Sequence, residues 1–187
     1  MFCSKKIVAA IGFSVVSLAS YSQDQLRAPP SVADQTKEII RVVNLYAEAI
    51  ACLPDENLSG RDIAAMSPLK DMDLREEAKF AVVWRGDIGC AGGSGTTGAH
   101  LAVVKVGAGD SFYVDAYESE PTVDAGLPRA IEKIVGATKD SLILDVLDYG
   151  DKDANCCPSL RTRITLKQLQ NGKWQKVATK KMPPVKY

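Results

Sequence analysis

The sequence predicts an α+β fold: an antiparallel β-sheet of about six strands with an N-terminal helix packed on one face, stapled by disulfides. Three observations carry that expectation. Apolar residues recur at helical spacing over Gln35–Cys52, then alternate with period 2 from Phe80 onward. The alternating runs follow one another through short polar connections, which favours antiparallel neighbours. Cys52, Cys90, Cys156 and Cys157 form an even set in a chain that opens with an export leader, the usual setting for disulfides.

The leader is MFCSKKIVAAIGFSVVSLASYSQDQ. Lys5 and Lys6 make a positive start, Ile7 to Leu18 an uncharged apolar run, and Ser20 and Ser22 the small residues before a cut at Gln23. The apolar run is shorter than the ~20 residues that span a bilayer, so residues 1–22 read as a cleaved signal peptide rather than an anchor. Cys3 precedes that run and leaves with it, so no lipid attachment is expected. Residues 23–33, with a Pro pair, read as a flexible lead-in, and 34–187 as a single α+β domain. Lys and Arg number 23, as do Asp and Glu, and this near-neutral balance without a basic, aromatic stripe argues against nucleic acid. The basic end KWQKVATKKMPPVKY reads as a solvated final strand and tail, with contact to an anionic lipid or cell-wall surface as the lesser reading.

Each element follows from local pattern. Asp34 is expected to cap the helix, whose buried stripe is Ile39, Val43, Tyr46 and Ile50 flanked by Ile40 and Ala47, and Pro54 to stop it. ENLSGRDIAAMSPLKDM reads as irregular with one short helical turn. Asp73 and Glu76 have capping-box spacing and predict a short second helix. Phe80, Val82 and Trp84 alternate along a first strand, AHLAVVKV forms a second, and SFYVDAYE a third after the turn GAGD. Arg129 to Ala137 fits a short helix or a strand. SLILDVLDY and LRTRITLKQLQ are the fourth and fifth strands, and Asn171-Gly172 predicts a two-residue type I′ turn into a sixth, KWQKVATK.

Adjacent cysteines close a strained ring across one peptide bond. If Cys156 and Cys157 do not bond each other, both remaining connectivities tie them separately to Cys52 and Cys90. The Cys-Cys turn then acts as a double staple onto the helix and the glycine-rich loop.

The loop GCAGGSGTTGAH offers the most chemistry. It lacks the lysine of a phosphate-binding loop between Gly86 and His100. Cys90 and the single histidine, His100, would make a thiolate pair if Asp87 or Asp115 oriented the imidazole, which is the basis for a thiol-dependent hydrolase. An oxidised Cys90 is no nucleophile, so the preferred reading is a structural loop with a recognition role, using Asp87, Cys90, Gly93, Ser94, Thr96, Thr97 and His100. Asp151, Asp153 and Asn155 start like a calcium loop, but Cys156 replaces its glycine and Thr162 its final glutamate. An acidic turn that satisfies its own backbone is expected instead. A zinc site from Cys90, His100, Cys156 and Cys157 is disfavoured because adjacent cysteines do not both face one tetrahedral ion. Ser94, Thr96 and Thr97 lack a nucleophile elbow. Trp84 and Trp174 are expected in the core, and neither a metal nor a cofactor is expected.

DANCCPS, between an apolar strand and an alternating one, resembles the turn of the LppP/LprE-like group of exported bacterial lipoproteins. The likeness spans Ser141 to Trp174 and departs from the group in lacking the lipid-attachment cysteine. It implies a bacterial envelope protein without an assigned activity and carries over no catalytic residue. The expectation is therefore a periplasmic or secreted binding protein, more an inhibitor or immunity protein than an enzyme, whose partner is a protein or cell-wall component. The rivals are the Cys90–His100 hydrolase and a structural envelope component.

Overall fold

The computed structural model describes residues 28–54, 57–92, 96–151, 153–154 and 157–183. The expected signal peptide, Gly93, Ser94, Asn155 and Cys156 lie outside the described residues.

Helix α1 spans Val32–Ile50. Its cap is Ser31, three residues before the expected Asp34: the Ser31 hydroxyl oxygen accepts from the Asp34 N–H at 3.2 Å, and the hydroxyl itself donates to the Asp34 carboxylate at 2.6 Å. Asp34 thus supports the cap from the first turn, where its charge also suits the helix dipole. Ile39, Val43 and Ala47 are buried along one stripe. The helix ends at Ile50, before Pro54 can act, because Ala51 turns extended and enters a sheet.

The strands divide between two antiparallel sheets. The first contains β1 (Ala51–Cys52), β2 (Ile63–Ser67), β3 (Lys79–Ile88), β4 (Gly98–Val106) and β5 (Phe112–Val114). Its order is β1-β3-β4-β5, and β2 pairs with the start of β3. The second is the meander β6 (Ala130–Thr138), β7 (Ser141–Asp148), β8 (Leu160–Gln168) and β9 (Trp174–Lys181). The α+β class and antiparallel pairing expected from the sequence are present. The expected single sheet is two, because a period of 2 identifies strands but not which strands share a sheet.

Layering explains the composition of β3 and β4. Phe80, Val82, Trp84, Ala102 and Val104 pack under α1 with Ile39, Val43 and Ala47. The intervening Ala81, Val83, Leu101 and Val103 pack on Leu142, Leu144, Val146, Ile164 and Leu166 of the second sheet. The first sheet is therefore covered on both faces, so apolar residues occupy both parities. Full burial of each Leu or Val contributes about 1.5–3 kcal/mol relative to exposure, and these two cores are the main source of stability. Trp84 and Trp174 are both buried, as expected.

Four local expectations change. The segment read as irregular contains β2, whose Ala64 and Met66 face the second core. Residues Arg75–Glu77 form only a 3-10 turn without a side-chain cap; the Asp73 N–H donates to the Asp71 carboxylate, so the expected capping box is not formed. Ala130–Thr138 is a strand, resolving the helix-or-strand ambiguity through its pairing with β7. The β8–β9 connection is a three-residue loop, Gln170 to Gly172, closed by the Leu169 N–H on the Lys173 carbonyl. Gly172 takes φ +80°, the left-handed position such a loop requires.

Candidate functional site

The described part of the glycine-rich loop hangs from the end of β3 and is braced from inside. Asp87 is buried, and its carboxylate accepts from the Gly92 N–H and the Thr96 hydroxyl, both at 2.9 Å. The Gly92 N–H, with smaller help from Thr96, holds this carboxyl below the usual range, against the opposing push of burial. Asp87 is thus an anchor for the loop backbone and not the partner of the imidazole.

The sulfur chemistry differs from the double staple. Cys52 and Cys90 are bonded to each other, with sulfurs 2.07 Å apart and Cα atoms 5.0 Å apart. The register makes this bond natural: Cys52 sits opposite Asp87 in the β1–β3 pair, and the chain beyond Ile88 turns back through Gly89 at φ +81° and Cys90 at φ +54°. A left-handed conformation costs a side-chain-bearing residue about 1–2 kcal/mol, and the bridge helps hold Cys90 there. Cys157 is also disulfide-bonded, and since Cys52 and Cys90 hold each other, its partner lies outside the described residues. The bridge closes 38 residues of chain, which corresponds to about 4 kcal/mol in the chain-entropy model.

His100 lies on β4 opposite Trp84 of β3, with ring centroids 4.8 Å apart. Its Nδ1 is 2.7 Å from Glu120 Oε2 and its Nε2 is 3.0 Å from the Gly86 carbonyl. Both nitrogens therefore face acceptors. The expected orienting residues are elsewhere: Asp87 in the loop, and Asp115 on Lys105 at 2.6 Å. With Cys90 oxidised and both ring nitrogens engaged, these two residues form no thiolate pair in this structure.

Glu120 was not among the sequence candidates. Four contacts fix it: its N–H donates to the Leu101 carbonyl, its own carbonyl accepts from the Tyr46 hydroxyl of α1, and Oε1 accepts from the Ala125 N–H while Oε2 meets His100. Burial first, and the Glu120 charge second, push the Tyr46 phenol up. The available signal was weak: an acid in YESEP between a short strand and a proline has no period to identify it.

Beside the loop an open cleft of about 500 Å³ is lined by Thr96, Thr97, His100, Glu120, Leu127 and Arg129, among others. Arg129, also in its lining, donates from Nε to the Thr97 carbonyl and from a terminal nitrogen to the Tyr149 hydroxyl. The structure therefore brings Asp87, Cys90, Thr96, Thr97 and His100 to one end of the first sheet. The acidic turn stands apart: Asp153 accepts from the Gly150 and Ser159 N–H groups and the Ser159 hydroxyl, and the Gly150 N–H contributes most to holding its carboxyl low. This is the self-satisfying turn expected in place of a calcium loop. Among the described residues no group of three or more His, Cys, Asp or Glu is placed to hold a metal ion, and no helix is long and apolar enough to cross a membrane. In comparisons with known proteins, the chain matches no family model, no curated protein and no solved structure.

Proposed function

We propose that the chain is an exported, non-enzymatic binding protein that engages a protein or cell-wall partner through the Cys90 loop and the adjoining cleft. The observation supporting this reading is that the two described arms of the loop are braced from inside while their outer residues stay exposed. The Cys52 bridge holds the outgoing arm, the Asp87 carboxylate accepts from Gly92 of that arm and Thr96 of the returning one, Arg129 holds the Thr97 carbonyl, and Gly89 to Gly92 and Thr96 remain accessible. Arms held in place in this way lose little conformational entropy on binding, so more of their contact energy appears as affinity. The sharper form is an inhibitor or immunity protein whose loop enters the cleft of an envelope-targeting hydrolase or toxin. The export leader and the LppP/LprE-like turn support an envelope setting.

The test places a photo-crosslinking residue at Ala91 and, as a control, at Val135 on the far sheet, then illuminates intact cells. A discrete adduct from Ala91 and not from Val135, lost when Thr96 is replaced by Trp, is the expected result. Equal labelling at the two sites, or retention on peptidoglycan that is indifferent to the loop, would point to a structural envelope component instead.

A further inference from the structure

The last strand is the most exposed regular element of the fold. From Gln175 to Lys181 every residue of β9 is exposed, and its outer edge pairs with no strand among the described residues. The sequence from Ala154 to Tyr187 contains no Asp or Glu. On β8, Arg163 and Arg161 are neutralised by Asp145 and Glu132, and Lys167 lies 3.5 Å from Asp140. Lys173, Lys176, Lys180 and Lys181 take part in no ion pair among the described residues.

The register places these lysines on both sides of the sheet. Lys180 is opposite Arg163 on the outer face, whereas Lys181 and Lys176 are opposite Thr162 and Leu166, whose side is the inner face. We propose that β9 is a docking edge for an extended acidic peptide segment, which adds as a further strand and places carboxylates on both faces against Lys176, Lys180 and Lys181. Main-chain hydrogen bonds supply the edge contact, and alternating side chains supply the charge match. The regular run Ala178 to Lys181, beyond the bulge between Thr165 and Leu166 on the partner strand, is its centre, continued by the Met182 N–H on the Arg161 carbonyl.

Two other occupants fit less well. A second copy paired through the same edge sets lysine against lysine, the charge pattern that keeps strand edges apart. A planar lipid surface meets one face of a sheet, leaving the lysines of the other face unused. This inference concerns a surface separate from the Cys90 loop, so its failure leaves that reading untouched.

The test is fluorescence anisotropy with a labelled peptide of sequence TEEVTEEV and with the same peptide methylated at every backbone nitrogen, which keeps the charge and removes the donors. The expected result is saturable binding of the first peptide, at least tenfold weaker binding of the methylated one, and at least a tenfold loss in the triple variant K176Q/K180Q/K181Q. The variant should keep its circular dichroism, since all three side chains are exposed. Equal binding of both peptides, indifference to the three lysines, or no binding at millimolar peptide would overturn the proposal. Sedimentation with phosphatidylglycerol vesicles in the absence of peptide binding would overturn it in favour of an anionic lipid surface.

Discussion

His100 and Glu120 join two segments that share no sequence pattern: the imidazole of β4 meets the carboxylate of the connection after β5 at 2.7 Å, with the Gly86 carbonyl on the ring's other nitrogen. Both side chains are largely buried, 17% and 11% exposed, so the contact is little screened. It locks the wall of the cleft to the strand beneath it. A group held on both sides in this way serves architecture, and its removal should be read in stability first.

Replacing His100 by Ala leaves Glu120 without its partner and the Gly86 carbonyl without its donor. A buried polar group left without its hydrogen-bond partner costs about 1–3 kcal/mol, and the cleft opening next to Glu120 lets water replace part of the loss, so the expectation is about 2 kcal/mol. Urea unfolding measures it. A double-mutant cycle with Glu120→Gln should return a coupling of at least about 1 kcal/mol.

Glu118 predicts how the protein responds to acid. Partial burial raises its carboxyl, but hydrogen bonds from Lys105, Lys79 and Gln168 outweigh that and hold it at about 2, against the ordinary 4.5 of a glutamate. A carboxyl depressed in the folded state stabilises the fold above its unfolded pKa, and that contribution is lost as pH falls from about 4.5 through about 2. The full linkage value is roughly 3 kcal/mol, and screening at a side chain 20% exposed reduces it to about 2. Wild type should therefore exceed Glu118→Gln in unfolding free energy at pH 7, and the gap should shrink between pH 4.5 and 2.

Asp145 is fully buried on the outer side of β7 beneath the Arg163 guanidinium, which contacts both its oxygens at 2.7 and 3.0 Å, with Arg161 and Lys133 nearby. The hydrogen-bonded Arg163 is the main reason this carboxyl is held low. Asp145→Asn should cost about 2 kcal/mol, less than a wholly buried pair, because the arginine can turn to water. Lys133→Ala, at the exposed end of the cluster, should stay within about 0.5 kcal/mol. Thermal unfolding of the two variants side by side separates these outcomes.

Gly86 is a packing requirement. A Cβ there would lie 2.7 Å from the Trp84 ring and 3.1 Å from the Ala51 Cβ. Gly86→Ala should lose about 1–3 kcal/mol through overpacking and shift the tryptophan fluorescence, as the Trp84 ring must yield.

Removing the bridge with Cys52→Ser and Cys90→Ser together should cost about 2–4 kcal/mol. Amide exchange at Gly89, Cys90 and Gly92 should quicken more than exchange at Val82 or Leu101. Uniform quickening would mean that the bridge acts on the whole fold rather than on the loop.

The helix, most of the strands and the core positions of both tryptophans were legible because each rests on a local period or a local turn residue. Ile39, Val43 and Ala47 declare a face by their spacing alone, and Leu142, Leu144 and Val146 do the same with a spacing of two. The self-satisfied Asp153 turn was readable for a similar reason, since its partners lie within six residues.

The division into two sheets, the Cys52–Cys90 pairing and the His100–Glu120 contact were not readable. Each depends on which distant segments meet, and periodicity carries no information about partners. The apolar residues of both parities on β3 and β4 are consistent with several layerings until α1 and the second sheet occupy opposite faces. Cys52 finds Cys90 because β1 pairs with the end of β3, a register established by packing across 38 residues and not by either cysteine's neighbours. Local chemistry chose the elements; the burial of two faces at once chose their arrangement, and with it which side chains stand together at the loop and cleft.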